Sequence, residues 1–166
     1  MIIRLANMQD LDRIIHIYDS ARCFMKANGN PNQWGTTNPP KTKTIEDIKT
    51  KRLHVVCENE LIIGVFFFDM GNDPTYAVIY DGQWLNHDPY GVIHRIAISD
   101  EARGKGVAGF CYEYALKRCK NLKIDTHTDN IPMQKSLAKN GFIKCGTIHL
   151  ANGEERIAFQ KTEKSS

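Results

Sequence analysis

The chain has 166 residues, 42% hydrophobic and 25% charged, which is the size and composition of one globular domain rather than of a disordered or two-domain chain. Its 22 Lys and Arg against 19 Asp and Glu give a formal charge of +3. Without a run of five or six like charges, this balance argues against a dedicated nucleic-acid binder and remains compatible with a small polyanionic ligand.

Residues 2–6 read as a short strand. Leu11, Ile14, Ile15 and Tyr18 then recur at i, i+3, i+4 and i+7 behind Asp10, the expected cap, and predict an amphipathic helix that fades near Asn28-Gly29-Asn30-Pro31. Trp34-Gly35 through Pro39-Pro40 carries loop punctuation, and a shorter helix is expected over residues 44–50. Residues 53–57 and 61–68 form an expected antiparallel hairpin around Glu58-Asn59-Glu60, and the block Val65-Phe66-Phe67-Phe68 suits a strand covered on both faces. Residues 76–80 are a further β-prone run.

A strand over residues 91–99 is followed by a glycine loop and a helix from Val107 with Phe110, Cys111 and Tyr114 at helical spacing; residues 122–126 then complete a βαβ unit and hence a parallel pair. A second helix over about residues 130–140 stops at Gly141, a good residue for the left-handed position after a helix end. Strands over residues 142–150 and 155–160 meet at the Asn152-Gly153 turn. The expectation is one α/β domain over residues 1–160 and a frayed polar tail over 161–166.

Cys23, Cys57, Cys111, Cys119 and Cys145 are odd in number and lack Cys-x-x-Cys spacing, so they read as reduced thiols of a cytoplasmic protein, with Cys111 a core residue. Met1-Ile2-Ile3-Arg4 does not resemble a secretory leader and no stretch approaches 18 apolar residues, so neither secretion nor a membrane span is expected. No metal is expected, since His-Glu-x-x-His and paired cysteines are both missing.

The most informative segment runs from Ile93-His94-Arg95-Ile96-Ala97-Ile98 through Asp100 to Arg103-Gly104-Lys105-Gly106-Val107-Ala108. Amides at a helix start lack intrahelical acceptors and carry the positive end of the dipole, glycines allow close approach, and Arg103 and Lys105 add charge, so the segment suits a phosphate. It is neither a Walker A loop, because Val107 follows Gly106, nor a Rossmann Gly-x-Gly-x-x-Gly.

Arg103, Gly106 and Ala108 match the Gln/Arg-x-x-Gly-x-Gly/Ala signature, and Asn130, Met133 and Gly141-Phe142 match a second motif at the right distance. On these residues the sequence resembles the GNAT acetyltransferase superfamily. The resemblance implies a mostly antiparallel central sheet, splayed between the fourth and fifth strands and flanked by about four helices. It implies acetyl-CoA as co-substrate, with its pyrophosphate on Arg103, Gly104, Lys105, Gly106, Val107 and Ala108, its pantetheine along Ile96, Ala97 and Ile98, and Asn130 nearby. Homodimers are common in this superfamily.

The resemblance also frames the chemistry: N-acetylation of a primary amine by direct attack in a ternary complex, or a non-catalytic acyl-CoA-binding sensor of the same fold. The tyrosine that protonates the thiolate in many relatives is replaced here by Leu137. The carboxylate base of histone-type relatives falls at Val92, whereas His94 matches a proton-relay histidine of arylalkylamine acetyltransferases. An imidazole titrates near 6.5, so His94 is the candidate catalytic base or relay; His127 reads as structural. The implied acceptor side, for a small-molecule or peptide amine, falls on Phe24, Met25, the Asn32-Gln33-Trp34 loop and Tyr80, Trp34 being an aromatic on a long loop. Lys41, Lys43, Lys49, Lys51 and Arg52 read as a solvated face rather than a nucleic-acid site.

Overall fold

The computed structural model describes residues 1–163. They form strands β1 (Ile2–Leu5), β2 (Leu53–Glu58), β3 (Leu61–Met70), β4 (Gly91–Ile98), β5 (Asn121–Thr126), β6 (Ile143–His149) and β7 (Glu155–Thr162). The helices are α1 (Leu11–Ala27), α2 (Lys41–Lys49), α3 (Val107–Cys119) and α4 (Ile131–Lys139). One seven-stranded sheet runs β1-β2-β3-β4-β5-β7-β6. Every neighbouring pair is antiparallel except β4 and β5, which are parallel and pair only at Gly91 with Leu122 and Val92 with Lys123. Beyond Val92 the two strands part, giving the mixed, splayed sheet expected.

The sheet buries both faces, which is why β2 and β3 read as nearly unbroken apolar runs. On one face α1 and α2 lay Ile14, Ile17, Tyr18 and Ile48 over Leu53, Val55, Val65 and Ala97. On the other, α3 and α4 lay Cys111, Tyr112, Ala115 and Leu137 over Val56, Phe66, Leu122 and Phe159. Each such aliphatic or aromatic side chain contributes about 1.5–3 kcal/mol of burial.

Three local expectations are corrected. Asp10 stands at the N-cap of α1 but its side chain makes no cap bond there; it closes a 3-10 turn, Met8–Asp10, capped by the Asn7 side chain, and turns back to accept from the Asn7 amide at 2.9 Å and to bind Arg4 at 2.7 and 2.9 Å. The Arg4 hydrogen bond holds the Asp10 carboxyl below the usual range despite partial burial. Residues 76–80 are not a strand: Pro74–Tyr76 is a 3-10 turn capped by Asp73, and Tyr80 makes one isolated bridge with Thr147. Pro74 has no ladder donor and the Asp73 side chain takes the Thr75 amide, so local bonds replace the ladder. At the other end, Lys161 and Thr162 belong to β7, and Lys161 donates to the Asn140 carbonyl at 2.7 Å. Glu163 follows, its amide donating to the Lys120 carbonyl at 2.8 Å, and the rest of the expected tail, 164–166, lies outside the described residues.

The connection between the 3-10 turn and β4 is stitched to the sheet. Gln160, fully buried, accepts from the Leu85 amide and donates to Asn121 at 2.7 Å and to Asn86 at 3.2 Å. Gly82 lies so close to β6 that a Cβ would meet the Cys145 carbonyl oxygen at 1.9 Å. On β4, Phe67 pairs with His94 and Val65 with Ala97, so Arg95 and Ile96 together oppose Phe66 in a β-bulge, and Arg95 takes φ +50°.

Candidate functional site

The loop joining β4 to α3 passes through a 3-10 turn, Asp100–Ala102, and enters α3 at Gly106, which occupies the N-cap with φ +78° and no side-chain cap. Gly104 has the same φ, and a Cβ on either glycine would meet nothing within 4 Å. Among the described residues, the amides of Gly104, Gly106, Val107 and Ala108 hydrogen-bond to no protein acceptor, and they open a 13-residue helix. Four donors beside open space at the positive end of a helix are what an anion requires. The Val107 side chain is in the core, so only its backbone serves the loop. Arg103 is ion-paired with Asp100, donates to the Ile98 carbonyl at 3.4 Å, and lies 3.8 Å over the Phe24 ring. From Gly106 a groove of about 560 Å³ continues between α3 and the end of α4, flanked by Lys139 and Lys161.

Where β4 and β5 part, a second cleft of about 220 Å³ opens. Met25 of α1 and Gln33 and Trp34 of the following loop form one wall, and His94, Arg95 and Ile96 of β4 another. Ile124 and Asp125 of β5, Asn130 and Met133 at the start of α4, and Leu150 and Arg156 close it. The β4 edge beyond Val92 has no strand partner there, and such an edge is a template for an extended ligand. Ala97 and Ile98 pair with β3 on their other edge.

His94 is held by its Nε2, 3.0 Å from Asp73 Oδ2. Burial works against the Asp73 charge, but hydrogen bonds from His94 and from the Thr75 hydroxyl and amide outweigh it and hold the carboxyl down to about 2. Asp73 is therefore an ionised acceptor at neutral pH, so Nε2 carries a hydrogen, and in the neutral imidazole Nδ1 is the accepting nitrogen. Asp125 accepts from the Tyr76 hydroxyl at 2.6 Å; burial, then the charge of Asp125, pushes the Tyr76 phenol well above its usual range. Neither Tyr76 nor the buried Tyr112, pushed up to about 12 by burial, is disposed to release a proton near neutrality.

Of the residues singled out in the sequence, His94, Ile96, Asn130, Met25 and Trp34 meet in this cleft. The Asn130 side chain is already engaged, accepting from the Met133 amide at 3.1 Å and donating to Gln33 at 2.9 Å, so it ties α4 to the loop after α1. Phe24 lies against Arg103 instead, and Tyr80 stacks on His149 with ring centroids 4.3 Å apart; neither lines the cleft. His127 accepts from the Asp129 amide and also lies outside it. Leu137 is fully buried between α3 and the sheet. Cys111 is buried, and burial pushes its thiol far up; among the described residues no cysteine, serine, threonine or tyrosine lines the cleft.

Sequence reasoning did not single out Asp73, Arg95, Asp125 or Arg156 as site residues. Asp73 precedes a proline and reads as an ordinary turn residue, 21 positions from the histidine it holds. Among the described residues no group of three or more His, Cys, Asp or Glu could hold a metal ion, and no helix is long and apolar enough to cross a membrane.

The chain matches the family model described as the acetyltransferase (GNAT) family over residues 14–142. Among solved structures it is similar to a GNAT-family acetyltransferase from Streptococcus agalactiae, with TM-score 0.90 and 30% identity over 99% of this chain and 96% of that one. A GNAT-family acetyltransferase from Bacillus cereus, 23% identical over 99% and 98% of the two chains at TM-score 0.65, shares the fold. So does the NatC complex bound to Gag peptide and CoA, at 14% identity, 98% coverage of both chains and TM-score 0.64. No curated protein matches the chain. The family match takes in the splayed β4–β5 pair, the glycine loop and α4 together, and on that evidence the chain belongs to the GNAT acetyltransferase family.

Proposed function

We propose that the protein transfers the acetyl group of acetyl-CoA to a primary amine, by direct attack within the cleft between β4 and β5. The observation that carries this reading is the pair His94–Asp73: an imidazole lining the cleft, fixed through Nε2 so that Nδ1 is its basic atom. Acetyl-CoA supplies an acyl group activated as a thioester.

The residues present fit that co-substrate. The open space at Gly104 and Gly106 and the unpaired amides of the loop suit its pyrophosphate, with Arg103 and Lys105 beside them. The groove flanked by Lys139 and Lys161 suits the nucleotide end, and the unpaired β4 edge suits the pantetheine amides.

An aliphatic amine is protonated near neutral pH and must lose a proton to attack. His94 takes it. That first proton passes from His94 to solvent; as the N–C bond forms and the C–S bond breaks the nitrogen gives up a second proton, which balances the one the thiolate gains. Leu137 is buried and, among the described residues, no hydroxyl side chain lines the cleft, so the proton reaches the thiolate from His94 or water. The bulge at Arg95 and Ile96 breaks the β3 register beside His94, and a backbone amide of that bulge is the proposed donor to the carbonyl oxygen as it gains charge. Positioning contributes the rest.

The same missing acid is what favours the second reading, a non-catalytic acyl-CoA sensor. Release of free thiol from acetyl-CoA across a panel of primary amines, beside thermal shift with acetyl-CoA alone, separates them. Amine-dependent thiol release is expected. Stabilisation by acetyl-CoA with no release across a broad panel would favour the sensor.

A further inference from the structure

We infer that the acceptor is a small amine that also carries a carboxylate, an amino acid or a close analogue, and that Arg95 and Arg156 hold the carboxylate. This deepens the amine-acetylation reading and rests on it.

Arg95 sits in the β4 bulge at φ +50°, in the left-handed region that residues with a side chain seldom adopt. Three contacts hold it there: its Nε donates to buried Asp47 at 2.8 Å, its guanidinium lies 4.6 Å over Phe67, and its carbonyl accepts from Tyr18 at 2.9 Å. None of these uses the two terminal nitrogens, and among the described residues neither has a protein acceptor within hydrogen-bond distance. Arg95 lines the cleft, and a guanidinium clamped by its inner nitrogen with its outer ones unbonded is a preformed fork for a planar oxyanion.

Asp47 pairs with Arg95 through one nitrogen, and a second guanidinium on the cleft is that of Arg156. This residue is 5% exposed, lines the same cleft from β7, and has as its carboxylate partner Glu154, a residue half exposed to solvent, at 3.1 Å. Its other bond is to the Glu155 carbonyl. A pair with so exposed a partner is weakly held, and a buried guanidinium favours a second anion.

The opposite charge is provided for separately. Asp125 has one oxygen engaged by Tyr76, leaving the other to attract the acceptor's ammonium before His94 takes its proton. Positive and negative groups in one cleft fit a zwitterion and oppose a polyamine, which would meet two arginines. A volume of about 220 Å³ is small for a binding pocket and suits a free small molecule.

The test uses matched sets of each amino acid, its α-amide, and the amine lacking the carboxyl group, assayed by thiol release on the wild type, Arg156→Gln and Arg95→Lys. The second variant keeps the charge and loses the fork, and serves if Arg156→Gln does not fold. For an accepted amino acid, neutralising or deleting the carboxylate should lower kcat/KM roughly 10- to 100-fold, mainly through KM. The arginine variants should lose most of that preference. Amides or plain amines used as well as the amino acids would overturn the carboxylate site and leave amine acetylation standing. No turnover with any amine would instead overturn amine acetylation, and titration calorimetry with the amino acids then decides the site. Binding to the wild type that is lost in the arginine variants supports it, and no binding to the wild type overturns it.

Discussion

His94 stands between two demands: it must sit on a strand rigid enough to aim it and still reach the open side of the sheet. β4 meets both, because its pairing with β3 at Phe67 fixes the residue while the departure of β5 exposes it. His94→Ala is expected to lower turnover about tenfold or more, chiefly at the low end of the working pH range where free amine is scarce, with acetyl-CoA affinity kept. Steady-state rates across pH, beside calorimetry, check this. Asp73 gives a second expectation with a defined sign. Its folded pKa of about 2 lies below its ordinary 3.8, so its contribution to stability is complete above about pH 4 and disappears as pH falls through about 2. Asp73→Asn should therefore be less stable than the wild type at neutral pH, the gap closing between about pH 4 and 2, as read by denaturation at each pH. That His94 would face the cleft was legible through the resemblance, which fixes its offset from the glycine loop along one strand. Asp73 was not, since its contact depends on a turn that Pro74 imposes, and the φ of Arg95 leaves no trace in composition or spacing.

At the scale of elements, the strand, loop and α3 were legible together, because apolar alternation, two glycines and a helical stripe follow one another without interruption. The short turn after β3 was misread as strand, since β-propensity is weak where side-chain capping competes for the same amides. Gly106→Val tests the loop directly. At φ +78° a valine costs on the order of 1–2 kcal/mol and its side chain enters the open space that Gly106 leaves at the start of α3. CoA affinity should fall about tenfold or more while circular dichroism shows the fold retained; unchanged affinity would dissociate the loop from the co-substrate. Leu137→Ala, by contrast, should cost about 2–5 kcal/mol of stability with no selective effect on acetyl transfer, because Leu137 belongs to the core beneath α4. Chemical denaturation and kinetics on the folded fraction check that pair of outcomes.

The molecule as a whole works by holding one sheet together around a gap. Beyond Val92 the halves β1–β4 and β5–β7 share no ladder, and α3, packed on both, bridges them along with the connection that precedes β4. Gln160, Asn121 and Asn86 fasten that connection. Gln160→Leu leaves Asn121 and the Leu85 amide without their partner, and a loss of about 1–3 kcal/mol follows for each buried group stranded, measurable as a lower Tm. The splayed topology was foreseen through resemblance alone; periodicity assigns strands but not which edges part, since pairing depends on residues far apart in the chain. The gap exists, on this account, so that an amine and a thioester meet at His94 without a covalent intermediate. Initial rates with acetyl-CoA and an accepted amine both varied test that claim most directly. Double-reciprocal lines that intersect are expected, whereas parallel lines, or thiol release that no amine accelerates, would contradict it.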